Sequence, residues 1–303
     1  MPETMQVAVA AAGIWTAPDA VRDLDAPALD NPARLADWAA AQGPDERRDL
    51  WGRLDTQALL GDLVLVDDVK NGWAQVVVPS QPCRKDSRGY PGWMPLSQLT
   101  TPTPVAPGTP RAVVTVPKTD ILDAPRGRPL LTGVTFATIL PTLSTLDGYA
   151  EVVVPGGDRG WVSEAHLSAY NERESLPTAD QLLTAGRQFL GLMYLAGGTT
   201  ADGLDCSGLT YGLYRRFGWQ LPRDATDQYA VGEPVDLAEL APGDLMFFRK
   251  QETGFVYHVG ICAEVIDGWP SMLHSSQTDW DTIDTPITDI RHSHLFAARR
   301  YRA

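Results

Sequence analysis

Positive charge is scarce in this 303-residue chain: 25 Lys and Arg stand against 38 Asp and Glu, a formal net charge of −13. Phosphate backbones are held by clustered cations, so this balance argues against a nucleic-acid partner and equally against anionic membranes or polymers. A small ligand carrying a free amine suits it better. Cysteine is rarer still, with only Cys83, Cys206 and Cys262. An odd count without paired spacings gives no disulfide framework, and Cys83 and Cys262 read as small packed hydrophobes. No apolar run approaches the roughly 18 residues of a membrane span. The N-terminal stretch has no basic segment ahead of an apolar core, so it does not read as a signal peptide. A cytoplasmic location is the expectation, with export the alternative if a leader has been removed. What remains is ordinary globular composition, 44% hydrophobic and 21% charged, in a chain long enough for two or three domains.

An internal echo organises the first half. NGWAQVVVP from Asn71, followed by GWMPLSQL from Gly92, parallels DGYAEVVVP from Asp147, followed by GWVSEAHL from Gly160. In each, a Gly turn precedes an aromatic residue, an alternating β-branched strand runs to a Pro, and a Gly-Trp strand follows. Two copies of one small β unit are expected, over residues 1–100 and 111–170. The first copy carries a helical insertion, NPARLADWAAAQGPDERRDLWGRL. The Pro- and Thr-rich residues 101–110 read as a linker. Valine-rich strands of this length suit five- or six-stranded barrels.

After Tyr170 the texture changes. Thr178 and Gln181 form a capping-box start, with Leu182, Ala185, Phe189 and Met193 at helical spacing beyond it. A Gly-rich turn leads to DCSGLTYGLYRRFG, where Asp205 is a plausible N-cap, Leu209, Leu213 and Phe217 recur every four residues, and Gly218 sits where a C-terminal cap belongs. Cys206 is thereby placed at the first helical position. PGDLMFF, YHVGICAEV and SMLHSS read as strands, which makes residues 177–303 an α+β domain.

The first turn of a helix has unpaired N–H groups and the positive end of the dipole, and both favour a thiolate at Cys206. A nucleophilic thiol needs a base, and His258 and His274 are the candidates. If Tyr257 and Val259 face the core, strand alternation turns His258 toward the helix or a cleft, while His274 can orient the imidazole from the next strand. The bland alternative is a packed cysteine and two structural histidines. A zinc site using Cys262 and His258 is a remote alternative, because no Cys-x-x-Cys or His-x-x-x-His pair accompanies them. Neither a metal nor a cofactor is expected.

GLMYLAGGTTADGLDCSGLTYGLY, then LPRDATDQ, PGDLMFF, HVGI and LHSS, resembles in order and spacing the NlpC-type cysteine peptidases of bacterial cell-wall metabolism. The two front units resemble bacterial SH3-like domains. The resemblance implies two small all-β SH3-like barrels ahead of a papain-like α+β cysteine peptidase domain. It implies Cys206 as nucleophile, His258 as base, His274 as orienting residue, and Tyr194 beside the oxyanion. The usual Trp of the Tyr-x-Trp-Gly-Gly motif is Ala196 here, which is expected to reshape the pocket wall.

A subgroup with this layout hydrolyses the bond between γ-D-glutamate and a diamino acid, diaminopimelate or lysine, in free murein peptides with an N-terminal L-Ala. TQALLGD, RGYPGW and LPRD carry that likeness. It implies substrate contacts from Asp55 (where Glu is usual), Tyr90, Asp205, Ser207 and Asp224, with Ala225 in place of a serine. Two or three carboxylates around a primary ammonium would reject a blocked amine, because capping it leaves buried acids unpaired. The partner expected is therefore a small murein peptide, in cell-wall peptide recycling. Alternatives are a wall-remodelling endopeptidase that uses its front domains for targeting, and a non-catalytic wall-binding protein.

Overall fold

The computed structural model describes residues 2–172, 176–250 and 254–301; the expected domain ends at 1 and 303 lie outside them. The first sheet holds β1 (Glu3–Val7), β2 (Ala11–Trp15), β3 (Leu54–Leu59), β4 (Leu63–Lys70), β5 (Trp73–Val78), β6 (Tyr90–Pro95) and β7 (Leu99–Thr100), in the order β3-β2-β6-β5-β4-β1-β7. Three short helices, α1 (Ala26–Leu29), α2 (Leu35–Ala40) and α3 (Pro44–Asp49), fill the insertion between β2 and β3.

The second sheet holds β8 (Arg111–Val114), β9 (Lys118–Leu122), β10 (Pro129–Thr135), β11 (Ile139–Leu146), β12 (Tyr149–Val153), β13 (Arg159–Ser163) and β14 (Leu167–Ala169). Its order, β10-β9-β13-β12-β11-β8-β14, repeats that of the first sheet strand for strand. Each sheet has seven strands where the sequence suggests five or six. The surplus lies in β7 and β14, two and three residues long, too short to show alternation. Residues 101–110 form no strand or helix.

The third sheet runs β17 (Glu233–Val235), β22 (Leu295–Arg300), β18 (Leu245–Arg249), β19 (Val256–Ile266), β20 (Trp269–Ser276), β21 (Asp281–Pro286), after a small hairpin of β15 (Thr199–Thr200) and β16 (Gly203–Leu204). Helices α4 (Ala179–Arg187) and α5 (Cys206–Arg216) pack on β19 and β20, α6 (Ala225–Tyr229) packs on β19, and α7 (Asp289–His294) lies before β22. The Thr178–Gln181 capping box is present, with Gln181 N–H donating to Thr178 Oγ1 at 3.2 Å and Thr178 N–H to Gln181 Oε1 at 2.9 Å. Helix α4 ends at Arg187, so Phe189 packs from the chain beyond it, and Met193 bridges to Asp281. Gly218, at φ +78°, terminates α5.

The three sheets do not own separate cores. Leu60 packs in the core of the second sheet with Val114, Ile121 and Val152. Phe136 and Ala137, in the turn between β10 and β11, pack in the third core with Leu182, Phe189 and Leu213. Tyr194, Leu195 and Ala196 pack with Trp15, Trp38 and Leu54 of the first. Each unit fills a neighbour's core. Arg215 on α5 ties all three: its guanidinium grips Asp62 at 2.5 and 3.2 Å, with both side chains buried, and its Nε donates to the Ala137 carbonyl at 3.0 Å.

Candidate active site

Asp205 starts α5 in extended conformation and its Oδ1 accepts from Gly208 N–H at 2.6 Å, the bond that fixes Cys206 as the first helical residue. Gly208 is required there because a Cβ would fall 2.1 Å from the Gly198 carbonyl oxygen. Gly197 is required on two counts: its φ is +75°, and a Cβ would meet the Leu54 carbonyl oxygen of β3 at 2.7 Å. The Gly-rich turn is therefore what lets the cysteine helix seat against the first sheet.

The helix start does not leave Cys206 a thiolate. Burial, reinforced by Asp205, pushes the thiol up to about 12, against the backbone N–H bonds of Val259 and Ser207 and the charge of Arg223. Desolvation thus opposes the thiolate that the half-charge at the first turn favours.

His258 is fully buried on β19, and the Val259 N–H beside it bonds the Cys206 sulfur. Strict alternation fails here. A bulge where Phe248–Arg249 meets Val256–His258 puts Val259 in the core with Cys206 and Leu209, and Tyr257 in the opposite cluster with Met246 and Phe248. Bulges re-aim side chains next to active sites. The His258 ring lies across Phe248 and the His274 ring, and its Nε2 shares a 2.9 Å hydrogen bond with His274 Nδ1. His258 Nδ1 is buried without a partner, so it is the nitrogen open to a proton. Burial, with His274 and Arg291 adding to it, pushes His258 well below the ordinary imidazole range. Burial and Arg291 bring His274 to about 3. Burial thus favours the uncharged form of both the Cys206 thiol and the His258 imidazole.

Tyr194 is buried, with its ring edge-on to Trp280 and its hydroxyl hydrogen-bonded by Trp51 from the insertion of the first unit. Ala196 belongs to the core shared with that unit and is 1% exposed, so the missing Trp affects inter-unit packing rather than an open pocket wall. Cys83 lies half-buried beside the Gly89 carbonyl, and Cys262 is buried. Among the described residues, no three His, Cys, Asp or Glu side chains converge as a metal site.

Of the five expected substrate contacts, three converge. The Tyr90 hydroxyl donates to Asp224 at 3.0 and 3.2 Å, and Asp55 is joined to the same hydroxyl through the ammonium of Lys85. Asp224 occupies the N-cap of α6 but its carboxylate caps nothing, having turned to Tyr90 instead. Burial raises the Asp224 carboxyl, against Arg223 and Lys85.

Asp205 and Ser207 are engaged elsewhere. The Asp205 carboxylate accepts from Gly197 and Gly208 N–H, from the Ser207 hydroxyl at 3.1 Å, and from Arg223 at 2.6 and 3.1 Å. Ser207 Oγ also accepts from Arg223 at 2.9 Å. These five donors tie the Asp205 carboxylate to the turn, the helix start and Arg223.

Arg223 was not singled out by its sequence, although it sits between two expected site residues in LPRD. It is fully buried, and its Nε donates to Thr56 Oγ1 at 2.7 Å, next to Asp55. Gln57 accepts from Thr199 N–H at 2.9 Å and, through its carbonyl, from Thr199 Oγ1 at 3.2 Å. Strand β3 is thus bonded to β15, ahead of the helix that carries Cys206, and to Arg223 beyond it. A cavity of about 810 Å³ between the units touches Asp62, Tyr211 and Arg215. Arg215 is nine residues after Cys206, about half a turn around α5 at 100° per residue, so that cavity lies away from the thiol.

A model of the NlpC/P60 family matches residues 191–300. A gamma-D-glutamyl-L-lysine dipeptidyl-peptidase of Bacillus cereus is 37% identical over 303 residues, covering 97% of this chain and 89% of that protein. The chain belongs to the NlpC/P60 family. As a member it is a cysteine peptidase. A second relative of the same name, from Bacillus subtilis, is 36% identical over 295 residues, 96% of each chain. The crystal structure of an NlpC/P60 family protein from Bacillus cereus matches at TM-score 0.89 and 35% identity, over 99% of this chain and all of that one. Among the described residues, no helix is long and apolar enough to cross a membrane.

Proposed function

We propose that this NlpC/P60 peptidase hydrolyses the γ-D-glutamyl bond to a diamino acid, lysine or diaminopimelate, in free murein peptides whose N-terminal L-Ala amine is unblocked, serving peptide recycling. The observation that carries the reading is the convergence of Asp55, Tyr90 and Asp224, from two units of the chain, into one acceptor site for a primary ammonium. The names of the two Bacillus relatives favour the same class of bond. Cys206 Sγ attacks the γ-carbonyl carbon as its proton passes to His258 Nδ1, while His274 holds the imidazole through Nε2. Tyr194 and the Cys206 backbone N–H stabilise the oxyanion. The C–N bond breaks, the diamino acid amine takes the proton from the imidazolium, and water hydrolyses the thioester.

The two front units are assigned as SH3-like domains over 1–100 and 111–170, joined by the linker 101–110, ahead of a peptidase domain over 177–303. Their interlocked cores favour a fixed part of the site over a freely hinged targeting module, which weighs against the wall-remodelling alternative. A cytoplasmic setting fits free peptides as substrates.

The test is mass spectrometry of products from L-Ala-γ-D-Glu-L-Lys and L-Ala-γ-D-Glu-diaminopimelate, each with and without N-acetylation, using Cys206→Ala as control. Free peptides should yield L-Ala-D-Glu and the diamino acid, and acetylated ones should resist. Equal cleavage of the acetylated forms sinks the free-amine reading, and unchanged turnover by Cys206→Ala removes that cysteine from the mechanism.

A further inference from the structure

The loop between β5 and β6 brings to this site a side chain that the proposed chemistry does not use. Lys85 Nζ donates to Asp55 Oδ2 at 2.9 Å and to the Tyr90 hydroxyl at 2.8 Å, and lies 4.4 Å from the Tyr90 ring centroid. Its charge also acts on Asp224. A primary ammonium of the chain itself therefore occupies the acceptors assigned to the ammonium of the substrate.

The backbone that carries it is pinned on both sides. Arg84 N–H donates to Asp227 Oδ2 at 3.0 Å, and the Cys83 thiol donates to the Gly89 carbonyl at 3.3 Å. Arg88 clamps Asp86 and Asp67 through paired bonds of 2.7 to 3.3 Å. What can move is the four-carbon stem, and the Lys85 side chain is 40% exposed, which gives its head a route to water.

We propose that Lys85 is a built-in occupant of the amine subsite, displaced one-for-one by the α-ammonium of the peptide, and so a competitor that sets the affinity of that subsite. The proposal rests on the free-amine reading above. The exchange conserves charge: one ammonium leaves Asp55, Tyr90 and Asp224 as another arrives. An uncharged N-terminus must either share the site with the Lys85 cation or expel it, leaving Asp55 without its ion-pair partner and Asp224 with Arg223 alone, and regain nothing in exchange. Lys85 therefore weakens by the same factor the binding of every peptide that must expel it, and only a free α-ammonium regains the vacated acceptors.

Lys85→Met keeps the stem and removes the charge. KM for L-Ala-γ-D-Glu-L-Lys should fall roughly two- to fivefold, the worth of a half-exposed ion pair, with kcat moving less than KM. Inhibition by methylammonium should tighten in parallel. Lys85→Arg, which restores a cation, should return KM toward the starting value and so separate charge from any change in fold. A KM that rises in Lys85→Met, as expected of a residue that binds substrate, overturns the proposal, and so does a KM that does not move. The underlying reading is tested on the unmodified enzyme with the des-amino peptide propionyl-γ-D-Glu-L-Lys. Cleavage as efficient as that of the free amine would sink the amine subsite itself, whatever Lys85→Met does.

Discussion

Replacing Arg223 by Met isolates the residue on which the site is built. Arg223 has no exposed surface, and burial works against its charge; Asp205, through contact and hydrogen bonds, and then Asp224 outweigh that cost. Met fills similar volume without donors. Asp205, 7% exposed, then keeps Gly197, Gly208 and Ser207 as donors but loses its only cation in contact among the described residues. Stranding one half of a buried pair costs about 3–5 kcal/mol. Loss of the Nε bond to Thr56 adds about 1 kcal/mol, part of which the same reorganisation covers. At about 1.4 kcal/mol per decade, the folding equilibrium constant should drop by roughly two to three and a half orders of magnitude. Urea unfolding followed by tryptophan fluorescence reads this as a shift in midpoint at constant slope. Adding Asp205→Asn removes the stranded charge, so the double variant should lose less than the sum of the two singles, with a coupling of about 0.5–3 kcal/mol. In the folded fraction kcat/KM should also fall, since Asp205 caps the helix of Cys206 and Thr56 adjoins Asp55. A loss below about 1 kcal/mol, or strict additivity, would refute the claim that Arg223 holds the site together.

The pH dependence follows from the neutral thiol and imidazoles. Between about 3 and the ordinary 6.5, the unfolded chain binds a proton at His274 that the folded chain does not, so stability should rise with pH through that window and fall away as pH drops toward 3, by a few kcal/mol at about 1.4 per unit. Cys206 acts in the opposite sense: between its ordinary 9.0 and about 12 the folded chain keeps a proton that the unfolded one has lost, so stability should decline as pH climbs through that window. In kcat/KM, the acid limb should lie below pH 6.5, because depressed His258 stays a competent base there. The basic limb should report the peptide amine, near pH 8, which must be charged to bind. An acid limb above 6.5, or a thiolate absorbance at 240 nm that titrates near pH 8 in the free enzyme, contradicts this assignment. Tyr194→Phe should lower kcat on the order of a hundredfold with little change in KM, as expected of a donor used mainly in the transition state. Steady-state kinetics decide, and an unchanged kcat removes Tyr194 from the oxyanion site.

The helix that starts at Cys206 was legible because its signals are local: Asp205 accepts from a backbone N–H three residues on, and Gly218 takes a left-handed φ. The repeat was legible too, since matching turn glycines and Gly-Trp strands give matching strand order. What escaped depended on distance in sequence or on desolvation. The thiol state could not be read, because a helix start announces its dipole while burial depends on how β19 covers it. The aim of His258 depended on a bulge set by its pairing with β18, which no alternation in YHVGI reveals. Arg223 and Lys85 were visible only as charges in LPRD and KDSRGY; their importance comes from partners such as Thr56 and Asp55, as many as 167 positions away.

Those long-range bonds bear on which bond is cut. Arg223 touches Asp205, which caps the helix of Cys206, and Thr56, the neighbour of Asp55, and it directly precedes Asp224 in the chain. The proposed amine subsite and the thiol are thus anchored to one buried guanidinium and cannot drift apart independently. On this reading the spacing between them is a ruler: a peptide held by its α-ammonium presents one carbonyl, at a set number of bonds from its N-terminus, to the sulfur. Affinity for the amine then sets position as well as identity, because the energy of binding the terminus is spent on orienting the scissile bond. Such a ruler requires a rigid mount, and a front unit whose Trp15 and Trp38 share a core with Tyr194 and Leu195 provides one that a flexibly tethered module would not.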